Sequence, residues 1–233
     1  MKHELNMKPK SPIIVVGFPG YGLIGTIVTE FLIKHLDAKP IGRIVVREVH
    51  PIVAIHDRKV VDPIGIFYDK KYNMLIVHAL ASINGLEWRL ADEMTHIFKE
   101  LKAKEIISIE GVGNPTLVKD GQTFYFSDND KKFQSIGMTE LKEGIIMGVT
   151  GALLLKKGIK LSCIFAETHS QLPDSRGAAK VVEVLDKYLG LKVDYKPLLK
   201  EAELFETKLK ELMEKSQALI PKQKDENKQV YIG

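Results

Sequence analysis

Cysteine is almost absent from this chain: Cys163 is the single one in 233 residues. An internal disulfide cannot form, and a cysteine cage for a metal has no ligands. No apolar run approaches the ~20 residues that a bilayer-spanning helix needs, and no charged-then-apolar leader opens the chain. The expected location is the cytoplasm, with no membrane partner. Aromatic residues make up 7% of the composition, and no block of Lys or Arg is interleaved with them as a nucleic-acid stripe would require. The formal net charge of +4 is the small difference between 34 basic and 30 acidic residues, so nucleic acid is not an expected partner. No cofactor and no metal are expected. Asn and Gln are sparse beside abundant Lys, Glu and Ile, a balance that fits a heat-adapted protein. What remains, 45% hydrophobic and 27% charged, is a soluble chain long enough to bury one large core.

The most informative segment follows the short β-branched run Ile13 to Val16. It reads Gly17-Phe18-Pro19-Gly20-Tyr21-Gly22-Leu23-Ile24-Gly25 and leads straight into an apolar helix. Glycines at this density make a tight strand-to-helix turn whose backbone another group can approach closely. Gly20-x-Gly22-x-x-Gly25 matches the dinucleotide fingerprint, and Glu48 stands where an acid for the ribose would be. Against cofactor binding, Phe18 and Pro19 separate the strand from Gly20, and the next strand leads into hairpins instead of a crossover helix. The favoured reading is a turn that packs a helix onto a sheet. A Walker loop is excluded, because no Gly-Lys-Ser or Gly-Lys-Thr follows the glycines.

Buried strands are expected at Ile13 to Val16, Ile106 to Glu110 and Leu161 to Glu167, where consecutive apolar residues leave neither face for water. Helices are expected at Leu23 to Leu36, Ile83 to Lys102 with Ser82 as N-cap, Gly144 to Leu155 and Ala178 to Leu189. Pro40 closes the first unit. Arg43 to Val49, Pro51 to His56, Val60 to Phe67 and Met74 to Ala79 read as strands without intervening helices, and Thr123 to Ser127 as an edge strand. The pattern implies an α/β three-layer sandwich around a mixed sheet, with residues 1–196 as the core domain. Beyond Pro197, Leu198, Ala202, Phe205, Leu209, Leu212, Ser216 and Leu219 alternate in steps of four and three, the seam of a helix over 197–220. Residues 221–233 form a polar tether ending in Val230-Tyr231-Ile232-Gly233, an apolar tip that either meets a partner or frays.

The nonapeptide at Gly17 to Gly25, together with Glu110-Gly111-Val112-Gly113, Gly148-Val149-Thr150-Gly151-Ala152-Leu153-Leu154 and the segment Ala166 to Ala179, resembles the proteasome assembly chaperone family in its archaeal form. The resemblance spans about Pro12 to Leu191. It implies a fold similar to that of nucleoside phosphorylases, assembly into homo-oligomers and no enzymatic chemistry. Some members of that family end in a hydrophobic-tyrosine-any signature that docks between proteasome α-subunits. The resemblance therefore implies that Val230, Tyr231 and Ile232 contact the proteasome α-ring or another protein complex. Here both Ile232 and Gly233 follow the tyrosine, one residue more than the signature has.

Other residues invite chemistry. Gly20, Tyr21, Gly22 and Gly25 with Glu110 and Gly113 form the possible ligand loop of an alternative reading, a small-molecule or nucleotide-binding enzyme, since backbone amides can cradle an anion without lysine. Glu110 is either a pocket carboxylate at a strand end or a turn cap. Cys163, His169 and Asp174 suggest a thiol hydrolase, but a cysteine inside an apolar strand reads as core. His50, His56 and Asp57 fall too far apart along a strand for a metal cluster. Trp88 and Arg89 sit on a helix, where the two together anchor an interface or Trp88 packs in the core. The stretch His169 to Gly177 is a binding loop or a connector with Ser175 near a helix start.

Overall fold

The computed structural model describes residues 1–48, 54–56, 59–80, 84–114, 121–168 and 172–200. Its strands are β1 (Lys2–Leu5), β2 (Ile13–Gly17), β3 (Lys39–Val45), β4 (Ala54–His56), β5 (Lys59–Val61), β6 (Ile64–Asp69), β7 (Met74–Ala79), β8 (Glu105–Gly113), β9 (Thr123–Ser127), β10 (Thr139–Glu140) and β11 (Leu161–Thr168). Its helices are α1 (Ile24–His35), α2 (Glu87–Glu100), α3 (Asp130–Ser135), α4 (Gly148–Leu154) and α5 (Ser175–Leu189). A short 3-10 turn, Tyr21–Leu23, precedes α1.

One nine-stranded sheet in the order β1-β3-β6-β7-β2-β8-β11-β9-β10 runs through the molecule. Its centre, β7-β2-β8-β11, is parallel, and antiparallel strands flank it. Period-two alternation sorts the central strands onto two cores. Val15, Ile107, Ile109 and Ile164 face α1 and α5, whereas Ile14, Val16, Ile106 and Val77 face α2 and α4. Both faces are covered, so these strands carry continuous apolar runs, and the result is the expected three-layer α/β sandwich.

Several boundaries differ from the sequence expectation. Pro40 does not close the first unit but lies inside β3, where the register shifts between Pro40 and Gly42; a residue without an N–H is tolerated at such an irregularity. The expected strand Val60 to Phe67 is broken at Asp62 and Pro63 into β5, which pairs with β4 in a separate two-stranded sheet, and β6. β9 is not the edge: the two-residue β10 pairs outside it. α4 begins at Gly148 instead of Gly144, with Gly148 at a left-handed φ of +70°, so Gly144 contributes nothing to a helical small-residue face. α2 begins at Glu87, and Ser82 lies outside the described residues. Residues 196–200 are helical, and Leu198, the first residue of the expected C-terminal seam, is 2% exposed against the α1/α5 core. The remainder of that expected helix lies outside the described residues.

Candidate functional site: a cleft at the carboxyl ends of the parallel strands

Parallel strands deliver their chain ends to one side of a sheet, and ligand sites gather there. The turn leaving β2 lies across that end of β8, and its glycines explain how it fits. A Cβ on Gly111 would stand 2.0 Å from the Tyr21 carbonyl oxygen, and one on Gly25 would stand 2.8 Å from the Ile109 carbonyl oxygen. Backbone therefore rests on backbone, with no room for a side chain between. Gly22 has a φ of +63°, the left-handed region that disfavours a Cβ, and Asp174 donates its N–H to the Gly22 carbonyl at 2.8 Å. Gly113 lies beside the Tyr21 ring, 3.3 Å from a built Cβ to Cε1. The favoured reading of the fingerprint, a turn that packs a helix onto a sheet, matches this geometry.

A cleft of about 370 Å³ opens between this turn, the end of β8, the approach to α2 and the segment 145–149. Phe18, Val112, Ile146, Met147 and Val149 supply apolar wall, and Asn84, Glu87 and Glu110 supply polar groups. Among the described residues lining it, none is Lys, Arg or His. Glu110 is the best-held of the polar groups. Thr150 donates its hydroxyl to Glu110 Oε2 at 3.0 Å, which leaves Ser108, 2.9 Å from the same Thr150 oxygen, to donate to it. The other oxygen, Oε1, occupies the place of a side chain at residue 20: a Cβ on Gly20 would lie 2.1 Å from it. Burial pushes the Glu110 carboxyl up to about 7, against the hydrogen bonds from Thr150 and from the Gly111 N–H. Desolvation of the charged form is the dominant cause. Glu87 accepts the Gly85 N–H at 3.0 Å.

A model described as the PAC2 family matches residues 14–213. The chain belongs to the PAC2 family. An uncharacterized protein of Methanocaldococcus jannaschii is 30% identical over 225 residues, covering 93% of this chain and 92% of its own. The crystal structure of PbaA from Pyrococcus furiosus, described as an archaeal homolog of proteasome-assembly chaperone, superposes with a TM-score of 0.84 at 31% identity and covers 94% of both chains. PbaB of the same organism, described as an archaeal proteasome activator, shares the fold with a TM-score of 0.77 at 21% identity, covering 91% of this chain and 98% of its own.

In this PAC2 chain the ligand-loop residues Gly20, Tyr21, Glu110 and Gly113 all line the cleft, whereas Gly22 and Gly25 face the packing beneath it. Cys163 is buried in β11, and its thiol is pushed up to about 12, first by burial and then by Glu110; it is core, not nucleophile. Asp174 caps α5 by accepting the Gly177 N–H at 2.8 Å, so the cap is Asp174 and Ser175 is the first helical residue. His169 lies outside the described residues. Glu48 pairs with Arg89 and follows β3, which is separated from β2 by β6 and β7; it is no ribose acid. His50 and Asp57 lie outside the described residues, as does the His56 side chain. Among the described residues no group of three His, Cys, Asp or Glu could hold a metal ion, and no helix is long and apolar enough to cross a membrane.

Trp88 is 55% exposed, so it does not pack in the core; Lys156 Nζ lies 5.0 Å from its ring centroid and pairs with Asp92 at 2.6 Å. Ile145 at 91% and Met147 at 67% exposure stand out on the cleft rim. Val230, Tyr231 and Ile232 lie outside the described residues. Sequence reasoning did not single out Thr150, Ser108, Asn84 or Glu87. The one available signal was the Gly148-Val149-Thr150-Gly151 motif, which marks the position without telling which strand residue Thr150 meets.

Proposed function

We propose that this PAC2 chain is a non-enzymatic, self-associating chaperone or adaptor that presents C-terminal tails to a partner complex such as the proteasome α-ring. The observation that carries the reading is its 31% identity, over 94% of both chains, to a structure described as an archaeal homolog of proteasome-assembly chaperone. The cleft supports the same conclusion. Nucleophilic catalysis needs a reachable nucleophile beside an oriented base, and among the described residues the hydroxyl that donates to Glu110 is that of Thr150, a fully buried side chain held between Glu110 and Ser108. A nucleotide phosphate in the glycine turn would meet the Glu110 carboxylate at Gly20, where like charge repels it.

The mechanism is steric and multivalent. In this reading each body carries its tail beyond the helical residues 196–200, with Val230, Tyr231 and Ile232 as the tip. Joining weak tips on one particle raises avidity by roughly a hundredfold or more where spacing matches. The test is equilibrium binding of the full chain and of a chain lacking Val230–Gly233 to archaeal proteasome core particle. The full chain is expected to bind and the shortened one to lose most of its affinity; equal binding overturns the assignment of the tail.

A further inference from the structure

We infer that the cleft at the end of β8 is a binding site for a small organic cation, an aliphatic ammonium or guanidinium whose stem lies along Phe18, Ile146 and Met147 and whose charged end meets Glu110. The walls select for this class by charge, shape and rigidity. Charge comes first: Glu87 and Glu110 line the space, and no described lining residue carries a positive charge. An anion would face two carboxylates with no positive side chain among the described lining residues to offset them, whereas a cation would replace the hydration that burial has taken from Glu110. The about 370 Å³ available lies within the range of small-molecule sites, which pair apolar walls with a few placed polar groups.

Rigidity separates Glu110 from an ordinary surface acid. Thr150 anchors Oε2 with Ser108 behind it, Gly20 leaves open the volume that Oε1 fills, and Glu87 is held by the Gly85 N–H. Such fixed acceptors lose little freedom when a ligand arrives. Among the described residues, the ionisable groups that line the cleft with Glu110 are Tyr21 on the turn and Glu87 at the start of α2, and Cys163 on β11 interacts with it. None of them supplies a cation.

The binding step balances as a proton exchange. A protonated Glu110 that accepts an ammonium or guanidinium gives up its proton to solvent, and the new ion pair holds the carboxylate ionised. With the carboxyl at about 7 in the free protein, roughly half a proton leaves per cation bound at pH 7.

The experiment is isothermal titration calorimetry of the full chain with n-butylammonium and n-butylguanidinium, with n-butanol and inorganic phosphate as matched controls. Repeating it in buffers of different ionisation enthalpy counts the proton. At least one cation is expected to bind saturably with proton release, to bind roughly tenfold or more weakly to Glu110→Gln, and to outbind both controls. Gly20→Ala, whose Cβ displaces Oε1, is expected to weaken the cation in the same direction. It keeps the test open should Glu110→Gln fold poorly. No cation heat at millimolar concentration, equal binding of n-butanol, preference for phosphate, or cation binding without proton release and unchanged in both variants would each overturn the inference.

Discussion

Glu110 shows how one buried carboxyl ties the strand end to the turn above it. Because its folded-state carboxyl is raised to about 7 from 4.5, the folded protein holds a proton that the unfolded chain has lost between these values. The stability it contributes is complete below pH 4.5 and is lost as pH rises to about 7. Glu110→Gln removes that titration. In urea melts, its stability relative to the parent chain is expected to climb from pH 4.5 to 7 and then level off, and a constant difference would refute the assignment. His78 works with the opposite sign. Burial lowers its pKa, with Lys34 adding to the effect and Glu30 opposing it, and its Nδ1 lies 2.9 Å from the Thr29 hydroxyl. The stability that its neutral form provides is present above pH 6.5 and falls as pH drops below it. Gly111→Ala tests close packing instead of charge. A methyl 2.0 Å from the Tyr21 carbonyl oxygen must push the turn off β8, at an expected cost of about 1–3 kcal/mol in chemical denaturation. At this scale the sequence was readable where an interaction is local. The glycine cluster announced a tight turn, but the Thr150–Glu110 contact joins residues 40 apart, and no local pattern encodes which strand faces which helix.

Among the elements, the parallel strands and the long amphipathic helices were legible because burial on both faces or on one stripe leaves a strong periodic mark. β1 and α3 escaped because their evidence is tertiary. Lys2–Leu5 is mostly polar and becomes a strand by pairing with β3, with His3 placed between Glu93 and Glu100 of α2. Asp130–Ser135 buries Phe133 alone, stacked between Tyr125 and Tyr188. The apolar run before α4 misled because Ile145 and Met147 look like helix interior yet line the cleft and its rim. α5 offers the element-level test. Asp174 both caps it and donates its backbone N–H to Gly22, so Asp174→Ala removes the cap and leaves the backbone link. The expected loss is about 1 kcal/mol in thermal or urea melts, with α5 amides near 175–178 exchanging faster; unchanged exchange there would show that the cap is dispensable.

For the whole molecule, the three-layer body supplies a rigid platform, and the proposed work is done by what several copies hold outward. Two of the motifs that carry the family resemblance, Gly17 to Gly25 and Glu110 to Gly113, fall at the turn and at a strand end, where backbone approaches backbone. The partner is a different matter, since a docking tip carries affinity only in the context of the surface it meets. Avidity requires more than one tip per particle, so self-association is the claim on which the account stands. Multi-angle light scattering of the full chain at micromolar concentration tests it most directly. The account predicts a mass that is a whole-number multiple, above one, of the single chain, and a particle with the mass of one chain would contradict it.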